Sequence, residues 1–109
     1  MKIATIFLCV VLATFAVGQS KQTFTGIITD SMCANADHSS MRMGPTDAEC
    51  TLACVMAHDA DYVLYDGKVA YTLGDQHTPE KFAGKKVVVT GALDAKTKTI
   101  KMESIVAAK

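Results

Sequence analysis

Five short segments with the pattern of β-strands constrain the fold of this chain more than any other feature. Apolar and polar residues alternate in them, and β-branched side chains are frequent. The segments lie at 24–29, in a hairpin at 62–73, and at 87–93 and 99–106. A helix is predicted at 47–58 and a short helical turn at 78–82, before the last hairpin. This order predicts a mostly β fold, a small OB-like barrel of five strands with one helix inserted between strands 1 and 2. A sandwich-like α+β domain is the alternative.

Glycines mark the irregular positions of both hairpins. Asp66-Gly67 favours a two-residue turn, because glycine accepts the positive φ that such a turn requires. That turn would place Leu64 opposite Val69. Gly91 interrupts the first strand of the second hairpin, which predicts a bulge or a tight bend there.

The first residues have the pattern of a secretory signal. Lys2 precedes an apolar run, and small residues around Gly18 suit a cleavage site. We therefore expect residues 1–18 to be a signal peptide and residues 19–109 to form a single OB-like domain, exported to the periplasm or secreted. The apolar run is short for a membrane anchor, so no stable membrane span is expected after cleavage.

Soft metal ligands are concentrated between residues 32 and 58. This segment contains every cysteine and methionine of the predicted mature protein except Met102, together with two histidines. Its members are Met32, Cys33, His38, Met41, Met43, Cys50, Cys54, Met56 and His58. Thiolate, thioether and imidazole groups select copper(I) and zinc over calcium and magnesium, so the segment predicts metal or thiol chemistry.

The predicted helix separates its thiols from its other side chains. At about 100° per residue, Cys50, Cys54 and His58 share one face. Leu52 and Met56 lie on a different side, which is expected to face the barrel. The Thr46 hydroxyl and Glu49 fit a capping box that starts the helix. The thiol face can then meet the loop at 30–44, where the remaining cysteine and histidine lie.

Cys33, His38, Cys50 and Cys54 together make a Cys3His set, which is common in structural zinc sites. The spacing C-x4-H-x11-C-x3-C fits no standard zinc finger closely. Copper(I) is a rival for the same ligands because methionines are close in sequence. Asp30 or Asp37 could orient a ligating histidine, or could simply cap a turn.

A disulfide is the main alternative to a metal. Cys33 could pair with Cys50 or Cys54 and stabilise the fold by about 3 kcal/mol. The mature chain has an odd number of cysteines, so one thiol would remain. A small thiol redox protein is a further alternative, although C-x3-C is not the thioredoxin-type motif. Metal and disulfide could also be two states of one site.

Other functional classes have little support in the sequence. No nucleophile motif, phosphate-binding loop or paired carboxylates with a defined partner occur, so no enzyme activity is predicted. Aromatic residues are few and the central hairpin is acidic, which argues against nucleic-acid binding. Residues 21–80 carry a net charge of −6 and residues 81–109 carry +5. Such a distribution can draw cations toward the cysteine-rich part.

Several runs of the chain together resemble a family of small uncharacterised exported bacterial proteins. The runs are FTGIITDSMC, AECTLACV, YVL, YTL and FAGKKVVVTGAL, together with His38. The resemblance covers nearly the whole mature chain and implies an OB-like barrel with a cysteine-bearing insertion, but no activity. Five residues match the family motif D-x-x-C…H…C-x-x-x-C: Asp30, Cys33, His38, Cys50 and Cys54. Glycine is more usual in the family where this chain has His58, so His58 is left out of the predicted ligands.

We therefore predict an exported, non-enzymatic binding protein. Its soft-metal site would use the four Cys3His residues named above, and would hold zinc structurally or copper(I) for storage or transfer. The first alternative is a disulfide-stapled module without metal that binds a protein or cell-envelope ligand. The second is the thiol redox protein.

Overall fold

The computed structural model describes residues 20–109, whose five strands close into one barrel. The predicted signal peptide at residues 1–18 lies outside the described residues. The elements are β1 (Lys21–Asp30), α1 (Asp47–His58), β2 (Tyr62–Tyr65), β3 (Ala70–Leu73), β4 (Lys86–Asp94) and β5 (Thr99–Ala107), with 3-10 turns at Ser31–Cys33 and Thr78–Phe82. The helix between strands 1 and 2 and the helical turn before the last hairpin are where the sequence predicts them.

The strands follow the order β1-β2-β3-β5-β4 around the barrel, and β4 returns to β1. All neighbours are antiparallel except β3 and β5, which run parallel and pair only at Thr72–Thr99 and Leu73–Ile100. The barrel is therefore closed but uneven, with long strands on one side and a short seam on the other. The prediction of an OB-like five-stranded barrel is confirmed. The sandwich alternative is wrong, because all five strands belong to one continuous sheet.

Alternation along the strands directs one apolar set into the barrel. In β1, the side chains of Phe24 and Ile28 are buried while Thr25 and Ile27 between and beside them are exposed. The buried core consists of Phe24, Ile28, Tyr62, Leu64, Leu73, Ala83, Val87, Val89 and Ile100. Burial of such side chains is the main source of stability in a domain of this size.

The first hairpin has a wider turn than the sequence predicts. Leu64 pairs with Tyr71, and not with Val69, so four residues connect the strands. The Asp66 carboxylate accepts a hydrogen bond from the Val69 amide at 2.8 Å, and this bond closes the wider loop. Gly67 has φ 103°, so the expected positive φ is confirmed. The shift is an even number of residues, which keeps the same side chains on the core face.

The bulge predicted at Gly91 is confirmed. The β4–β5 register shifts between Thr90 and Gly91, where a side chain would meet the backbone of Lys101 on the neighbouring strand. A bulge bends its strand and increases the local twist. The long β4 strand can therefore curve around the barrel and pair with both β1 and β5.

Helix α1 begins and ends at the predicted residues. The Thr46 hydroxyl accepts a hydrogen bond from the Glu49 amide at 3.2 Å, and Asp59 ends the helix in the left-handed region with φ 52°. Leu52 and Val55 pack against the barrel core. The expectation that Met56 also faces the barrel is wrong, because this side chain is exposed.

Candidate metal centre

Asp30 lies at the end of β1 and organises the residues that follow it. Its side chain is fully buried. Oδ1 accepts hydrogen bonds from the backbone amides of Met32, at 3.1 Å, and Cys33, at 3.0 Å, so the carboxylate caps the 3-10 turn. Oδ2 lies 2.8 Å from Nε2 of His38. Asp30 therefore has both of the roles that the sequence offers as alternatives, since it caps a turn and also orients a histidine.

His38 is held between two carboxylates at the start of the long loop. Its side chain is buried, with Nε2 on Asp30 and Nδ1 3.4 Å from Oδ1 of Asp47, the first residue of α1. Among residues 20–109, Nδ1 has no hydrogen-bond partner. An unpaired buried polar atom costs about 1–3 kcal/mol, and such atoms are uncommon without a function.

Cys33 completes a compact group of three potential ligands. One ligand atom each from Asp30, Cys33 and His38 lies within 4.8 Å of the others, and all three residues are buried. The Thr29 hydroxyl donates a hydrogen bond to the Cys33 carbonyl at 3.0 Å, which fixes the turn that carries the thiol. Carboxylate, thiolate and imidazole are all zinc ligands, so this group could hold a metal ion.

Cys50 and Cys54 lie beside this group on α1 without being part of it. Both side chains are fully buried. Cys50 donates its thiol hydrogen to the Gly44 carbonyl at 3.2 Å. Burial, the charge of Asp30 and a hydrogen bond to Asp30 raise the pKa of Cys54 to about 11, with smaller effects of Cys33 and Cys50. The helix thus brings a second thiol to the same carboxylate that orients the histidine.

The electrostatic environment of the thiols is unfavourable for thiolates unless a cation is present. Burial raises the pKa of Cys33, and the negative charges of Asp30, Cys50 and Asp37 raise it further. A bound metal ion reverses this effect, because a coordinating thiol loses its proton to the strong local charge. Without a cation, burial and these charges therefore favour the neutral thiols.

All three cysteines of the described residues are free and buried. The pairing of Cys33 with Cys50 or Cys54, which the disulfide alternative requires, is thus not formed in this part of the chain.

The predicted ligands do not all occupy equivalent places. Cys33 and His38 are brought together, whereas Cys50 and Cys54 lie next to them and His58 is exposed at the end of α1. The sequence does not predict Asp30 as a ligand. Its position as the first residue of the D-x-x-C run was the available signal, because an aspartate at a strand end can cap the next turn and still present its second oxygen.

Comparisons with known proteins supply no further assignment. No protein-family profile, curated protein sequence or solved structure matches this chain. Within residues 20–109, no helix has the length and apolar character needed to cross a membrane. The functional argument therefore depends on the chemistry of the buried cluster.

Proposed function

We propose that this is an exported, non-enzymatic binding protein that holds one soft or borderline metal ion in the β1–β2 connection. The buried group of Asp30, Cys33 and His38 is the observation that carries the proposal. The ligands are Cys33, His38, Cys50 and Cys54, which bind zinc or copper(I). Asp30 orients His38, as the outer partners of metal-binding histidines do.

The position of the cluster supports a binding role. It lies between β1 and β2, and OB-type barrels use this connection as one of their ligand-binding loops. The barrel fixes one side of the site through the end of β1, and α1 fixes the other side through packing of Leu52 and Val55. Two structural supports of this kind hold the ligands in place before the ion arrives, which favours affinity.

Asp30 itself is the main competitor for the fourth ligand position. Its Oδ2 lies 2.8 Å from Nε2 of His38, and its negative charge raises the pKa of Cys54. A site of Asp30, Cys33, His38 and Cys54 would leave Cys50 outside, where its thiol already has a partner in Gly44. The substitution Cys50→Ser distinguishes the two sets, because only the Cys3His set loses a ligand.

The first experiment measures metal content and thiol state of the mature protein, isolated without chelator or reductant. We expect about one equivalent of zinc or copper and three reduced thiols, because the ligands must be thiolates. Protein without metal, unprotected by zinc or copper(I) against thermal unfolding, would refute the proposal. A mass lower by two hydrogen atoms, with one thiol left, would instead indicate the disulfide-stapled module or a redox protein.

The second experiment uses a matched pair of histidine variants. His38→Ala should weaken metal binding by about tenfold or more, because it removes a ligand that Asp30 holds in place. His58→Ala is the control, since His58 is exposed at the end of the same segment. Equal affinities of the two variants in competition with a chromophoric chelator would contradict the assignment of His38.

A further inference from the structure

The methionines of the loop and helix are exposed, which is unusual for this residue type. Exposed fractions are 44% for Met32, 40% for Met41, 38% for Met43 and 79% for Met56. Met102 of β5, in contrast, packs against the barrel core. Filling of gaps in the core therefore explains Met102 only. The other four thioethers need a different explanation.

Three of these methionines lie in the same stretch of chain as Cys33 and His38 of the buried cluster. Met32 lies in the 3-10 turn, where its amide donates to Oδ1 of Asp30 at 3.1 Å. The Met41 amide donates to the His38 carbonyl at 3.3 Å. Met43 follows in the same loop, before α1. Met32, Met41 and Met43 thus lie in the same connection between β1 and α1 as Cys33 and His38, and we call these three residues the methionine rim.

Met56 differs from the rim in its position. It follows Cys54 by two residues on α1, so the two side chains point to nearly opposite sides of the helix. Cys54 is fully buried, and Met56 is the most exposed methionine among residues 20–109. Met56 is therefore the natural control for any function of the rim.

The buried cluster is closed to solvent, so an ion has to pass its protein cover. The five residues in and beside the cluster are at most 7% exposed: Asp30, Cys33, His38, Cys50 and Cys54. The rim residues belong to the same connection between β1 and α1 as Cys33 and His38. A cation that binds thioethers finds neutral, exposed ligands there before it reaches the buried thiols.

Thioether chemistry distinguishes between the two candidate ions. Soft thioether sulfur selects copper(I), whereas zinc sites are built from thiolate, imidazole and carboxylate ligands. We propose that the methionine rim captures copper(I) and passes it to the buried cluster. This inference rests on the proposed metal-binding function and names copper(I) as the ion that is exchanged.

The transfer is a ligand exchange without electron transfer. Copper stays in the +1 state, copper–thioether bonds break as copper–thiolate bonds form, and each coordinating thiol releases its proton to water. The exposed carboxylates of Asp37 and Asp47 lie on the same loop and at the adjacent helix start, and they favour a cation in this region. No oxidant or reductant is required for the step.

The test compares uptake rates of the mature protein and two variants. The probe is copper(I) presented as its bicinchoninate complex under anaerobic conditions, and uptake is followed by stopped-flow loss of the complex's absorbance. The rim variant carries Met32→Leu, Met41→Leu and Met43→Leu, and the control carries Met56→Leu. Leucine keeps the volume and apolar character of methionine but removes the sulfur, so both proteins should fold, as checked by circular dichroism.

We expect the rim variant to take up copper(I) about tenfold more slowly, with the same final stoichiometry as the wild type. Zinc uptake by both variants and copper(I) uptake by the Met56→Leu control should match the wild type. Equal copper(I) rates for rim variant and wild type, or equal slowing by Met56→Leu, would overturn the inference. A wild type that binds zinc but no copper(I) would overturn it while the proposed function stands. Binding of neither ion would refute both.

Discussion

The buried contact between Asp30 and His38 joins the end of β1 to the loop that follows it, and its strength can be measured. Both side chains are at most 1% exposed, and Oδ2 lies 2.8 Å from Nε2. A buried hydrogen bond to a charged group contributes about 1.5–3 kcal/mol. The substitution Asp30→Ala removes this bond and the cap on the Met32 and Cys33 amides, which is worth about 1 kcal/mol more. We expect a total loss near 3 kcal/mol.

The assay is urea denaturation of the metal-free, reduced protein in the presence of chelator. Asp30→Ala, His38→Ala and the double variant form a cycle, whose coupling energy isolates the contact between the two side chains. Asp37→Ala is the matched control, because Asp37 also caps a turn, through the Ser39 amide at 2.9 Å, but is exposed. Its cost should be about 1 kcal/mol or less.

The expected coupling between Asp30 and His38 is about 1.5–3 kcal/mol. A coupling below about 0.5 kcal/mol, the scatter expected for independent sites, would refute the argument. A cost of Asp37→Ala equal to that of Asp30→Ala would also refute it, because the difference between the two is attributed to burial and to the histidine. Unchanged slopes of the denaturation curves are needed for the comparison.

Two further predictions concern the helix start and the loop before the second 3-10 turn. Asp47→Asn should weaken metal binding by up to about tenfold in chelator competition, because the negative charge of Asp47, whose Oδ1 lies 3.4 Å from Nδ1 of His38, favours a cation at that nitrogen; stronger binding would contradict this. The Thr78 hydroxyl and the Thr78 and His77 amides lower the pKa of Asp75 to about 2 from 3.8. Because the pKa of Asp75 is lower in the folded state, its carboxylate stabilises the fold at pH values above the unfolded-state pKa. The stability advantage of the wild type over Asp75→Ala, measured by urea denaturation, should therefore be complete near neutral pH and decline as the pH falls from 3.8 toward 2. A stability advantage of the wild type that grows as the pH falls over this range would contradict the prediction.

Local sequence patterns were sufficient for the elements of this fold because each depends on nearby residues. The cap at Thr46 fixed the start of α1, Pro79 marked the second 3-10 turn and Gly91 marked the bulge. The first hairpin register was predicted incorrectly, since the side chain of Asp66 closes a four-residue loop. Whether a side chain or a backbone carbonyl accepts the hydrogen bond of a turn amide is difficult to predict from sequence alone.

The surroundings of the cysteines required the tertiary structure. The helical period grouped Cys50 and Cys54 correctly, but it could not show that both thiols are fully buried while Leu52 is only half-buried. Likewise, Met56 lies on the side that the sequence assigned to the barrel, yet it is exposed. A helical wheel gives relative directions only, and the position of the barrel decides which directions are covered.

The sequence by itself determined the succession of strands and helix along the chain and the segment in which the soft ligands lie. Periodicity, caps and turns act over a few residues, so a local pattern is enough to reveal them. Only the tertiary structure decided which ligands meet. Packing of α1 against β1 brings Cys54 close to Asp30, which also contacts His38 and lies beside Cys33. Asp30, Cys33 and His38 are close in the chain, but the approach of Cys54 to Asp30 joins residues 24 positions apart and depends on the packing of α1, which no local pattern encodes.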